Sequence, residues 1–282
     1  MKRIMLTISY DGTNYVGWQV QKNGLAVEQV INEHLSRLLG EDITVIGASR
    51  TDSGVHALGN VAVFDTETKI PAEKISFALN QSLPDDIRIA RSEEVSSDFH
   101  PRKESCVKTY RYDILNSRYN IPVKRLYADY VYYPMDIDKM ARAAEYLKGE
   151  HDFIGFSSSG GQQKTTVRTI YSIDIMAREL FEEEQEGNTS KEVYKKEGVS
   201  GQINDYAPRL ISITVAGNGF LYNMVRIIAG TLEKVAIGAY PPEYIKQILD
   251  CQSRSLQTAK APARGLTLVR IDYEKTGKVR LQ

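Results

Sequence analysis

The sequence predicts a mixed α/β protein in which strands and helices alternate along most of the chain. Two observations carry this. The spacing of apolar residues switches repeatedly between two and about 3.6. Glycine and proline mark several of the switches, at Gly12, Gly40 and Pro71.

Residues 3–10 alternate Ile4, Leu6 and Ile8 with polar neighbours, a half-buried strand ended by Asp11 and Gly12. Residues 27–39 place Val27, Val30, Ile31, Leu35, Leu38 and Leu39 near helical spacing, and Gly40 closes the helix. Residues 43–46 and 60–64 are predicted strands. Pro71 starts a second helix over 71–83, and 87–95 is a fourth strand. This β-α-β-β-α-β order is the ferredoxin-like pattern. The pattern restarts near residues 99–103. Strands are expected at 108–115, 127–133, 166–178, 210–216 and 266–273. Helices are expected at 136–147, 219–236 and 242–251. The helix at 219–236 is the best patterned of these, with Leu221, Met224, Val225, Ile228, Leu232 and Val235 at 3.6 spacing. No repeat of 20–50 residues is visible.

Length and composition narrow the class. At 282 residues with 42% apolar and 26% charged residues, the chain has material for one large or two smaller globular units. Its 36 basic and 36 acidic residues cancel. That sum alone argues against nucleic acid, but distribution matters more. Between Asp98 and Arg125 stand Arg102, Lys103, Lys108, Arg111, Arg118, Lys124 and Arg125, against Asp98, Glu104 and Asp113. The stretch 179–205 is polar and Glu-rich, as a solvated insertion would be. Cys106 and Cys251 are far apart, and His34, His56, His100 and His151 are scattered, so no disulfide framework and no metal site are expected. Lys2-Arg3 precedes a short apolar run broken by Thr7 and Ser9, which is not a signal peptide. No run of 18 apolar residues exists, so no membrane span is expected and the compartment is read as cytoplasmic.

The chemistry concentrates in residues 47–59, Gly-Ala-Ser-Arg-Thr-Asp-Ser-Gly-Val-His-Ala-Leu-Gly, between two predicted strands. Three glycines allow tight turning or close approach, and a loop raised on two strands holds its side chains in place. Arg50 and Asp52 stand inside it. In isolation, such a pair is a surface salt bridge of little energetic weight.

The longer string, residues 47–65, closely resembles the signature of the tRNA pseudouridine synthase A (TruA) family. Residues 108–112 (Lys-Thr-Tyr-Arg-Tyr), 220–226 (Phe-Leu-Tyr-Asn-Met-Val-Arg), 263–266 (Ala-Arg-Gly-Leu) and the opening around Ser9–Thr13, Tyr15, Gly17, Trp18 and Gln19 match as well. Ser49, where Gly or Ala is usual, and Ser53, where Ala is usual, are departures. The resemblance implies two ferredoxin-like α/β domains, here 1–102 and 103–282, with sheets joined around a central active-site cleft. It implies Asp52 as the catalytic carboxylate, with Tyr110 packed on the target uracil. Arg50 would fill the gap left by an extruded base, Arg226 would face the aspartate, and Leu266 would be a cleft residue. By their own patterns, Tyr110 is equally a half-buried strand aromatic, Arg226 a surface helix arginine and Leu266 a core leucine. His56 reads as a loop-packing residue, and Trp18 and Tyr15 as core or cleft-wall aromatics.

The implied reaction converts uridine to pseudouridine in tRNA, at positions 38, 39 and 40 of the anticodon arm, by a homodimer. No group is lost or oxidised, so no cofactor is required. Asp52 could attack carbon or remove a sugar proton, and the target base must leave its stack. Two rivals belong to other classes. A noncatalytic RNA-binding protein is weakened by the absence of RNP-type aromatic motifs. A glycosidic hydrolase would carry two spaced carboxylates, and no such pair stands out.

Overall fold

The computed structural model describes residues 1–160, 164–180, 207–256 and 258–274. The expected acidic insertion at 179–205 lies almost wholly outside the described residues.

The first half follows the expected order: β1 (Lys2–Tyr10), α1 (Val27–Leu39), β2 (Ile46–Gly47), β3 (His56–Thr66), α2 (Ala72–Asn80) and β4 (Ile87–Val95). β1 lies between β4 and β3, antiparallel to both. Helix α1 ends as expected: Gly40 sits at φ 68° and donates its N–H to the Ser36 carbonyl at 2.9 Å. The strand expected over 43–46 shrinks to Ile46–Gly47. Its first residues bond to helix side chains instead: Ile43 N–H donates to Ser36 Oγ and Val45 N–H to Asn32 Oδ1. Ile43 and Val45 are buried all the same, so the apolar alternation reported burial and not a ladder.

The second half comprises β5 (Cys106–Asn116), β6 (Asp129–Val131), α3 (Ile137–Glu145), β7 (Gly149–Asp152), β8 (Val167–Glu179), β9 (Arg209–Gly217), α4 (Met224–Ala236), α5 (Tyr244–Cys251) and β10 (Leu266–Tyr273). β7 was not expected, because Gly-Glu-His-Asp carries no apolar alternation; it pairs only with β8 at the sheet edge. The helix expected from 219 begins at Met224, since Asn223 before it has a left-handed backbone.

All ten strands described belong to one sheet with path β4-β1-β3-β10-β5-β9-β8-β7. The halves repeat one layout: β4-β1-β3 with β2 beside β3 in the first, and β10-β5-β9-β8 in the second. They meet where β10 runs parallel to β3, pairing Thr267 with His56 and Leu268 with Ala57. β2 occupies the far end of that same β3 edge, opposite Val63 and Ala62. One core cluster runs through both halves, from Ile4, Leu6, Ile31, Leu35 and Leu79 to Tyr112, Ile213, Ile228 and Leu232. Burying each such aliphatic side chain contributes about 1.5–3 kcal/mol, and continuity of the cluster holds the halves in fixed relation.

Candidate active site

Residues from both halves line a cleft of about 690 Å³, among them Gln19, Arg50, Asp52, Tyr110, Tyr222 and Leu266. Four of the five residues singled out by the sequence line it, and the fifth, Arg226, reaches Asp52 from just behind the lining.

The loop between β2 and β3 presents Asp52. Its backbone is stitched to the segment after β1: Trp18 N–H donates to Thr51 O at 3.1 Å, Gly54 N–H to Tyr15 O at 3.3 Å, and Asp52 forms an isolated antiparallel bridge with Gly17. Gly54, at φ 76°, turns the chain back so that Val55 N–H reaches the Asp52 carbonyl at 3.1 Å. Beneath, Tyr10 Oη and Thr51 Oγ1 are 2.8 Å apart, and Asn60 Nδ2 donates to the Ser49 carbonyl at 3.1 Å. Lys108 supports the other side, its Nζ donating to Ala48 O at 3.1 Å and Ser49 Oγ at 2.9 Å.

Arg226 on α4 meets the carboxylate across the cleft, Nη1 to Oδ2, at 3.5 Å; their side chains are 14% and 24% exposed. Its guanidinium is fixed by two further acceptors, Ala261 O for Nε and Asn223 Oδ1 for Nη1, each at 2.9 Å. Burial raises the Asp52 pKa above the ordinary carboxylate value; Arg226, and then Lys260, pull against it. The carboxylate is thus held in a partly dry site with a cation on one side, as a nucleophile or base requires.

Tyr110 on β5 is buried yet lines the cleft, its ring edge-on to Phe220 at 5.2 Å between centroids. Burial pushes its hydroxyl up to about 12, so the phenol is neutral at physiological pH. Leu266, the first residue of β10, lies opposite Tyr112 and closes the cleft beside Val225. Arg50 is exposed on the cleft.

His56 is a packing residue, as expected: its Nδ1 faces Gly12 N–H at 3.1 Å and Asp11 Oδ1 at 3.0 Å, and its Nε2 lies 3.0 Å from Leu126 O. Trp18 and Tyr15 are core aromatics; Trp18 packs on Tyr10, and Tyr15 donates to Asp86 at 2.6 Å. Sequence reasoning missed Asn223, Phe220, Lys108 and Lys260. The first three lie in strings 220–226 and 108–112, but their partners are more than fifty residues away or on another element, which no local pattern reveals. Among the described residues, no group of three His, Cys, Asp or Glu is placed to hold a metal, and no helix is long and apolar enough to cross a membrane.

A model of the family described as tRNA pseudouridine synthase matches residues 6–102 and 143–274. Three relatives, each named tRNA pseudouridine synthase A, align over 273 residues, 97% of this chain and all of their own length. The one from Ruminiclostridium cellulolyticum is 47% identical, that from Acetivibrio thermocellus 43%, and that from a Thermoanaerobacter species 41%. The Asp52 loop and its Arg226 partner both fall inside the matched segments, and the chain belongs to the tRNA pseudouridine synthase family.

Proposed function

We propose that the protein isomerises uridine to pseudouridine in the anticodon arm of tRNA, at positions 38, 39 and 40, with Asp52 as the catalytic carboxylate. The observation that carries this reading is the placement of Asp52: partly buried in a cleft, 3.5 Å from Arg226, with Tyr110 lining the same cleft. Family membership supports the reaction and the RNA substrate.

The chain's groups suit the steps. A base extruded from the stem enters the cleft. Tyr110, braced by Phe220, offers a ring for the uracil to stack on, and such stacking is worth about 1–3 kcal/mol. Arg50 occupies the space the base vacates. Asp52 then attacks carbon, in a bond broken again before the product leaves, or removes a sugar proton that it later returns; the N1–C1′ bond breaks, the retained uracil turns, and C5 bonds to C1′. The C5 proton leaves and N1 gains one, so the product is an isomer. Arg226 keeps the carboxylate oriented, and Leu266 keeps water from the detached base. A two-carboxylate glycosidic hydrolase fits less well, because Asp52 is the only carboxylate among the described residues lining the cleft.

The protein acts as a homodimer with one continuous basic face. Arg102, Lys103, Arg118 and Arg125 are exposed in the segment with local positive excess. Affinity for tRNA should fall steeply with salt. Salt-independent binding, or full activity from a strict monomer in light scattering, would count against this.

The decisive test is Asp52→Asn, assayed by tritium release from C5-labelled uridine tRNA. Asparagine keeps the size and removes the charge. The expected result is a folded protein that binds tRNA and releases no tritium. Asp52→Glu should fail also, since one methylene moves the carboxylate by about an ångström. Asp65→Asn, far from the cleft in a pair with Arg3, should keep substantial activity. Wild-type tritium release by Asp52→Asn would sink the mechanism.

A further inference from the structure

Asn223 has no part in the steps above, yet it differs from an ordinary helix-start asparagine in both backbone and side chain. Its backbone stands at φ 61°, ψ 6°, in the left-handed region, which asparagine enters more readily than most side chains. It also occupies the position before α4 where an asparagine side chain ordinarily accepts a backbone N–H, and here it makes no such bond. A left-handed backbone and a forgone cap at one residue turn its amide away from the helix end and toward other partners.

Those partners are specific. Asn223 Oδ1 accepts from Arg226 Nη1 at 2.9 Å, and Nδ2 donates to Ser158 Oγ at 3.0 Å. The orientation is unique, because a guanidinium has only donors and must meet the amide oxygen. The same Nη1 is the nitrogen that faces Asp52 at 3.5 Å. Asn223 is buried and lines the cleft. The far anchor is itself held: Ser158 N–H donates to Tyr222 O, and Arg254 donates to both the carbonyl and the hydroxyl of neighbouring Ser157. Two bonds define the plane of the Arg226 guanidinium, one through Nε to Ala261 O and one through Nη1 to Asn223. With the second gone, only the bond to Ala261 O and the longer 3.5 Å contact to Asp52 restrain the plane.

We propose that Asn223 is a positioning residue for the reaction: its amide, anchored on Ser158, fixes the plane from which Arg226 meets the Asp52 carboxylate. The left-handed backbone is what aims that amide away from the helix end and at the guanidinium. The catalytic meaning rests on the reading of Asp52 given above, whereas the clamp itself is a property of the folded protein.

The test variant is Asn223→Gly, which accepts the backbone angle and deletes only the amide. Two readouts are taken on the full chain. One is a carbon-13 NMR titration of the Asp52 carboxyl without substrate. The other is kcat and KM on a tRNA transcript, in wild-type and Arg226→Lys backgrounds. Arg226 opposes the upward push of burial on Asp52, so a loosened Arg226 must move the titration to higher pH. The expected results are that upward shift and a kcat lowered about tenfold or more, equivalent to about 1.4 kcal/mol. KM should stay within about threefold, and little further loss should appear when Arg226 is already Lys. Ser158→Ala should shift Asp52 in the same direction by less. A folded Asn223→Gly protein with unmoved Asp52 titration overturns the proposal, as does a kcat loss that multiplies independently with Arg226→Lys. A wild-type protein that forms no pseudouridine overturns the catalytic reading alone, and the titration still judges the clamp.

Discussion

Replacing Arg226 by Gln isolates what its charge does for Asp52. Glutamine is shorter and neutral, so the contacts to Asp52, Asn223 and Ala261 are all lost or remade without charge. At 3.5 Å and an effective dielectric near 20, the attraction between the two charges amounts to about 5 kcal/mol. The cleft admits some solvent, which reduces this, and breaking a buried pair typically costs about 3–5 kcal/mol. If about 3 kcal/mol of that is felt in the transition state, kcat falls about 150-fold. The pH profile gives the second reading. Burial already raises the Asp52 pKa, and Arg226 is the largest influence opposing it. Without Arg226 the carboxyl holds its proton to higher pH, so the acidic limb of kcat moves upward and raising the pH recovers part of the loss. Arg226→Lys keeps the charge but not the fork, and should fall between. The assay is single-turnover tritium release from C5-labelled tRNA across pH. An Arg226→Gln enzyme with kcat within about threefold of wild type and an unmoved acidic limb would refute the reasoning.

Two further expectations follow from the geometry. Tyr110→Phe keeps the ring against Phe220 and should bind tRNA nearly normally; a slowed C5 proton release would assign the hydroxyl to that step, and unchanged turnover would restrict Tyr110 to packing. Gly17→Ala places a Cβ 2.5 Å from the Thr51 carbonyl at φ 112°, and should cost about 2–4 kcal/mol in urea unfolding, with a loss of kcat because Asp52 bridges to that residue; stability within 0.5 kcal/mol of wild type, roughly the range of a neutral surface change, would show that the bridge yields.

The first half of the fold was legible because its signals are local. Alternation in β1, the apolar stripe of α1 and the Gly40 cap each need only neighbours in sequence. β7 was invisible because a short edge strand of glycine and three polar residues leaves no periodic trace. Residues 43–45 misled because alternation records which side chains are buried, whereas a ladder depends on what the backbone finds to bond, here Ser36 and Asn32. The site divides in the same way. Taken alone, the Asp52 loop reads as a surface ion pair, and Arg50, Asp52, Tyr110, Arg226 and Leu266 were singled out through the resemblance of the strings around them to the family's. Asn223 lay in a quoted string too, but its importance resides in a backbone angle and in Ser158, 65 positions earlier.

The two-residue join between β3 and β10 has a bearing on synthesis. A nascent chain that has emerged as far as Lys260 already contains Asp52, Tyr110 and Arg226. It still lacks the strand whose Thr267 and Leu268 register on His56 and Ala57, and it lacks Leu266 at the cleft. The Asp52–Arg226 pair itself spans 174 positions, and contacts of such separation are slow to form. Translation therefore delivers the carboxylate early and the enclosure last. Between the emergence of Asp52 and that of β10, the growing chain carries an aspartate with no finished pocket around it.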